Sequence, residues 1–221
     1  MPVAQRAFRH VISLGTHCYV SHLLQRLGLR QAAGPFDWIF SDARMNAACL
    51  EDNFRRHFLD REQYVPVDTP RGLRFGHRDF SARLNLEVIF NHHDPRTEAD
   101  HQHFQRSVTR LEAVLDGDAS KLFLCLTPPY RAQPAALATL DAAIQARTSN
   151  AHLMVIVAEA AKQPAEQPVL QVRQATETLE VFHRVSTAPM KGGLTYDNPA
   201  HEQVIIDLLR RFDLTSASKA P

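Results

Sequence analysis

Cys18 stands three residues after Gly15 in HVISLGTHCYVSHLLQRLGL (residues 10–29). The apolar run Val11–Leu14 stops at the glycine. From the cysteine onward the spacing changes, and Val20, Leu23, Leu24 and Leu27 fall at i, i+3, i+4 and i+7, one face of a helix. A thiol placed between a strand end and a helix start meets free backbone N–H groups and the positive end of the helix dipole, both of which favour thiolate. The same N–H groups, over Thr16–Tyr19, suit the oxyanion of an acyl-transfer intermediate. The expectation is an acidic, exposed nucleophile at Cys18. The plainer alternative, a small buried hydrophobe, is the usual fate of a free cysteine. It is the reading adopted for Cys49, on the apolar face of a helix, and for Cys125, in mid-strand.

A thiol nucleophile needs a base, normally a histidine oriented by a carboxylate or amide. His93 follows LNLEVIF (84–90) and adjoins Asp94; His77 in FGHRDF has Asp79 nearby; Asp197 and His201 share YDNPAH (196–201) before the last helix. The third arrangement, an early strand-end nucleophile with a late Asp–His pair, resembles the layout of SGNH-type hydrolases. Their nucleophile, however, is a serine placed differently relative to the glycine.

The window HHDPRTEADHQH (92–103) also offers His92, His93, Asp94, Asp100, His101 and His103, a donor set suited to zinc or iron. His101 and His103 are two apart and point to different sides of a helix. A solvated helix start, with Glu98 and Asp100 near its positive end, explains the window more simply, so no metal is expected. SLGTHC has one glycine and is neither a dinucleotide fingerprint nor a phosphate loop, so no cofactor is expected. Arg26, Arg30, Arg106 and Arg110 are candidates to hold an anionic substrate group, though arginines along helices usually face water.

The elements that must position these groups alternate. VISL (11–14), LNLEVIFN (84–91), KLFLCLT (121–127), HLMVIVA (152–158) and EVFHRVS (180–186) read as strands, and residues 60–75 as loop with short extended pieces. Helices are expected after Cys18, after a Ser41–Asp42 cap, over Pro95–Leu115, over PAALATLDAAIQAR (134–147) and over PAHEQVIIDLLRRF (199–212). Near-continuous apolar strands between helices predict a three-layer α/β sandwich around a largely parallel sheet. The expected organisation is one domain over 1–214 and a disordered tail over 215–221.

A chain of 221 residues buries enough surface to fold without a metal or disulfide staple. Its 25 basic and 24 acidic side chains leave a formal charge of +1, which argues for neither nucleic acid nor an anionic membrane as partner. Apolar runs are far shorter than the ~20 residues of a membrane span. The N-terminus has no secretory pattern, and three scattered cysteines suggest reduced thiols and a cytoplasmic location.

ISLGTHCYVSHLLQRLGLRQAAGPFDWIFS (12–41), NHHD (91–94), FQRSVTRL (104–111) and LFLCL (122–126) together resemble an uncharacterised bacterial family labelled papain-like cysteine peptidase. The resemblance implies Cys18 as nucleophile, His93 as base and Asp94 as the partner of that base. It also places Asp37 and Trp38 of PFDW near the site, Asp37 as an orienting or structural carboxylate. This chain has two histidines before the aspartate, so His92 is the alternative to His93. A papain-like label implies a helix-borne cysteine against an antiparallel sheet, whereas the periodicity here implies alternating α/β. The function expected is a cysteine-dependent hydrolase or acyltransferase acting on a small-molecule, peptide or acyl substrate. The alternative is a non-catalytic, glycan- or nucleotide-related binding or transferase module using the same crevice.

Overall fold

In a computed structural model that describes residues 6–55, 58–160, 169–186 and 190–217, the chain starts with β1 (His10–Ser13), α1 (Tyr19–Arg26) and α2 (Ala43–Glu51). Then come β2 (Tyr64–Thr69), β3 (Gly72–His77), α3 (Arg78–Leu84) and α4 (Glu98–Asp116). β4 (Lys121–Thr127), α5 (Pro134–Arg147), β5 (Ala151–Ala160), β6 (Val169–Ala175) and β7 (Leu179–Ser186) follow. β8 (Met190–Lys191), β9 (Thr195–Tyr196) and α6 (Pro199–Leu209) close the series. The main sheet has the order β1-β4-β5-β7-β6, parallel except for the antiparallel edge strand β6.

The period of two in β4 and β5 builds two cores at once. Phe123, Cys125, Leu153, Val155 and Val157 pack with α2, α4 and α5 on one face. Leu122, Leu124, Leu126, Met154 and Ile156 pack with α1 and α6 on the other. Each large apolar side chain so covered contributes about 1.5–3 kcal/mol of transfer free energy. The result is the three-layer α/β sandwich that the apolar strands predict. β4 even begins with a buried cation: the Lys121 ammonium donates to the carbonyls of Gly117, Ala119 and Ser149 at 2.6, 2.8 and 3.2 Å, which satisfies all three protons.

Local readings differ in four places. Residues 64–77 form an antiparallel hairpin rather than loop; Pro66 is tolerated because β2 pairs on one side only. LNLEVIFN is not a regular strand, because α3 runs through Leu84 and ends on Asn85 in the left-handed region (φ 51°). Past it, only Phe90 makes isolated bridges, to Ile39 and Phe75. β6 (VLQVRQA) escaped the reading because it is exposed along almost its whole length and shows no alternation. Of the tail expected over 215–221, residues 215–217 form a turn in which Ala217 is buried and Ser216 O accepts from Arg9. Residues 218–221 lie outside the described residues.

His101 and His201 are buried in the folded chain, and burial, aided by the nearby Arg61 and Arg184 respectively, holds both below the ordinary histidine range. The unfolded chain therefore takes up protons near pH ~6.5, where the folded chain does not. Their contribution to stability is present above that pH and is lost as pH falls through the lower folded values. Urea unfolding followed by circular dichroism should give a lower midpoint at pH 5.5 than at pH 7.5, and His201→Gln should shrink the difference.

Candidate active site

The turn that carries Cys18 is clamped from two sides. Beyond β1 the chain keeps its bonds to β4: Leu14 N donates to Leu124 O at 2.9 Å, and Thr16 donates to Leu126 O through N (3.3 Å) and Oγ1 (2.8 Å). From the other side, Ser41 Oγ and Asn46 Nδ2 both donate to Leu14 O, at 3.2 and 2.6 Å, and Ser41 N donates to Thr16 O at 3.1 Å. Asp42, the α2 N-cap, accepts from Met45 N and so sets the direction of the helix that bears Asn46. Gly15 bends between the clamps at φ 80°, where a Cβ would lie 2.5 Å from Ser41 Oγ. Only glycine has both the conformation and the clearance. Cys18 then takes the N-cap position of α1, at the carboxyl end of β1.

The opposite wall arrives through a second set of bonds. Phe40 N donates to Ile89 O at 2.8 Å, and Phe90 N donates to Phe75 O of β3 at 2.8 Å. Residues 89–90 are thus held between PFDWIF and the hairpin. The crossing is close: a Cβ on Gly76 would lie 2.3 Å from Glu87 O. Two residues on, His92 Nε2 comes to 3.4 Å from Cys18 Sγ. Trp38, in the left-handed region (φ 62°), stands edge-on to both His92 and His22, with ring centroids 6.0 and 6.3 Å away.

The electrostatics differ from the acidic, exposed thiol expected from position. Cys18 is 7% exposed. Burial pushes its thiol up, its own backbone N–H pulls it down, and the charge of Asp37 pushes it up again, with a net rise. The helix start does not prevail because the sulfur has lost most of its water. His92 is lowered by desolvation, then by His93 and Arg74. Both shifts favour the neutral thiol and the neutral imidazole at pH 7. Cys49 and Cys125 are fully buried in the core, and the Cys125 thiol is pushed up to about 12.

The other sequence candidates fall elsewhere. His93 Nδ1 bonds Asp100 Oδ1 at 3.0 Å, and its ring stacks on His103. Asp94 is engaged by Arg96, which holds its carboxyl below the usual range. Asp37 accepts from Arg30 Nε and Gly34 N at 2.8 and 2.9 Å, so it ties the 30–37 loop together below Cys18. His77 is buried as the N-cap of α3; His201 is buried against Ser186, and Asp197 pairs with Lys191. Arg26 pairs with Glu202, and Arg110 donates to Ala33 O. Among the described residues, no three His, Cys, Asp or Glu side chains converge as metal ligands, and no helix is long and apolar enough to cross a membrane. Sequence reasoning missed Arg74 and Asn91, which stand next to His92. Asn91 is part of NHHD, but nothing local to Arg74 signals its place.

The segment bearing Cys18 is similar to a known family. Residues 9–62 match the family described as "putative papain-like cysteine peptidase". The match takes in β1, Cys18, PFDW and α2, and stops short of β3, Asn91 and His92. Neither the curated proteins nor the solved structures gave a match to the chain.

Gly15→Ala forces a side chain into the left-handed region and against Ser41, and should cost about 1–3 kcal/mol from the backbone alone. Adding Ser41→Gly removes the collision but neither the φ penalty nor the need for a donor to Leu14 O, so the double variant should stay less stable than the wild type in a denaturant titration.

Proposed function

We propose that the protein is a cysteine-dependent hydrolase or acyltransferase whose nucleophile is Cys18 and whose base is His92. The observation that carries this reading is the 3.4 Å approach of His92 Nε2 to Cys18 Sγ at a helix start. A binding module in the same crevice would have no need of that contact.

In the proposed reaction the Cys18 sulfur attacks a carbonyl carbon while its proton passes to His92 Nε2, and the carbonyl π pair moves onto oxygen. Of the N–H groups from Thr16 to Tyr19, that of Thr16 is spent on Leu126 O and that of Tyr19 on His17 Nδ1. Among the described residues the His17 N–H has no acceptor and the Cys18 N–H has only its own sulfur, so these two are the donors for the oxyanion. The intermediate collapses as His92 returns the proton to the leaving group, which leaves a thioester on Cys18. Water or another acceptor, deprotonated by His92, then attacks the thioester, and the thiol is restored.

Because the pair rests neutral, this is general-base attack rather than attack by a preformed thiolate. Protonating His92 removes the acceptor. Its lowered pKa therefore places the acid limb of the rate below the usual 6.5.

The test uses an activated thioester, with the acyl-enzyme trapped by acid and mapped by mass spectrometry. Acylation is expected on Cys18, and Cys18→Ala should abolish it. His92→Ala should slow it by about 10²–10⁴, the range for a positioned base, whereas His93→Ala should change it by no more than a few-fold. Label on Cys49 or Cys125, or a His92→Ala variant as fast as the wild type, overturns the reading.

A further inference from the structure

The nitrogen of His92 that faces Cys18 also faces Asn91. Asn91 Nδ2 lies 3.2 Å from His92 Nε2, and on the other side Arg74 Nε donates to Asn91 Oδ1 at 3.2 Å. Arginine has donors and no acceptor, so it orients the amide: the oxygen turns to Arg74 and the NH₂ turns to the imidazole. An NH₂ aimed at a ring nitrogen requires that nitrogen to be unprotonated. The proton of a neutral imidazole must then reside on Nδ1.

We propose that Asn91, oriented by Arg74, is a positioning residue that holds His92 as the Nδ1–H tautomer with the Nε2 lone pair open to the Cys18 thiol. The histidine alone does not determine this. With the other tautomer, Nε2–H would point at the sulfur and the base would have no lone pair to offer.

The arrangement has a second consequence. Nε2 has one lone pair, which the Asn91 N–H and the Cys18 S–H both address. Once the thiol proton has moved to Nε2, donor faces donor across 3.2 Å. That contact favours passing the proton onward to a leaving group over keeping it on the ring. Arg74 adds a positive charge close to the same ring and opposes the imidazolium in the same sense.

This inference rests on the reading of Cys18 and His92 as a reacting pair, but its first measurement does not. Ring-nitrogen chemical shifts of ¹⁵N-histidine-labelled protein, with His92 assigned by difference from His92→Gln, report the tautomer directly. At pH 7.5 the wild-type ring is expected as Nδ1–H. Arg74→Ala frees the amide to turn its oxygen to Nε2, so His92 should move towards Nε2–H; Arg74→Lys keeps a donor and should restore Nδ1–H. Asn91→Asp offers Nε2 only acceptors and should raise the His92 titration midpoint.

In the thioester assay, Asn91→Asp should carry the acid limb to higher pH. Asn91→Ala should lower kcat about ten- to a hundredfold with little change in KM, as expected for a partner that fixes a histidine's tautomer. A wild-type His92 found as Nε2–H, or a tautomer indifferent to Arg74→Ala and Asn91→Ala, overturns the inference. If the tautomer behaves as stated while Cys18 is never acylated, this inference stands and the hydrolase reading falls. The converse pattern separates them the other way.

Discussion

Everything at the candidate site hangs on the carbonyl of Leu14. It lies just past the end of β1, where the chain begins to turn. It accepts at once from Ser41 Oγ and from Asn46 Nδ2, two donors on the segment that opens α2. The neighbouring N–H of Leu14 and N–H of Thr16 are spent on β4. A buried carbonyl with two partners is satisfied to its capacity, and moving the turn would cost both bonds. The glycine between the clamps is a consequence of that closeness. The sulfur three residues on inherits its position from a sheet edge and a helix cap, both rigid, rather than from a mobile loop.

Rigidity has an electrostatic cost. Packing PFDW and residues 89–92 over the helix start removes water from the sulfur, and desolvation outweighs the backbone N–H that would favour the anion. Asp37, tied into the 30–37 loop by Arg30 and Gly34, adds a like charge on the same side of the balance. Arg74 acts on the other partner and disfavours imidazolium. Both charges therefore oppose a thiolate–imidazolium pair, and they come from different parts of the chain. An ion pair would need the reverse placement, a cation near the sulfur and an anion near the ring. Among the described residues, no carboxylate bonds the His92 ring; Asp94 and Asp100 spend their oxygens on Arg96, His93 and the backbone.

The fold was legible wherever burial imprints a period. KLFLCLT and HLMVIVA are typical of strands covered on both faces and prove to be β4 and most of β5, and PAALATLDAAIQAR matches α5 residue for residue. The position of Cys18 at a strand-to-helix turn was legible for the same reason. What stayed hidden depends on contacts that leave no period. The 64–77 hairpin stands apart from the main sheet and contains a proline, and LNLEVIF begins as the end of α3 and makes only the isolated bridges of Phe90. His92 and His93 are adjacent, so a shift of one residue decides which ring meets the sulfur. That register is set by the Phe40–Ile89 and Phe90–Phe75 bonds, between segments far apart in the sequence. No local pattern encodes it. The expectation of an acidic thiol failed differently: helix-start position is visible in sequence, whereas the depth of desolvation is not.

A papain-like label and a parallel α/β sandwich seem to pull apart, but the label rests on residues 9–62 alone. That segment supplies a strand, a thiol at a helix start and a packed PFDW turn. It ends before His92. The imidazole beside the thiol, the amide beside the imidazole and the guanidinium that orients the amide all come from residues 74–92, beyond the matched segment. Similarity over residues 9–62 therefore covers the thiol and its turn, and does not reach Arg74, Asn91 or His92. The two segments meet through the Ile39–Phe90 bridge, the Phe40–Ile89 hydrogen bond, and the contacts of His92 with Cys18 and Trp38. A side chain at Gly76 would collide with Glu87 O, so the approach of residues 87–92 to the matched segment depends on that glycine. Whether a relative can do this chemistry is therefore to be judged from its hairpin and the residues equivalent to Arg74, Asn91 and His92, not from the cysteine motif.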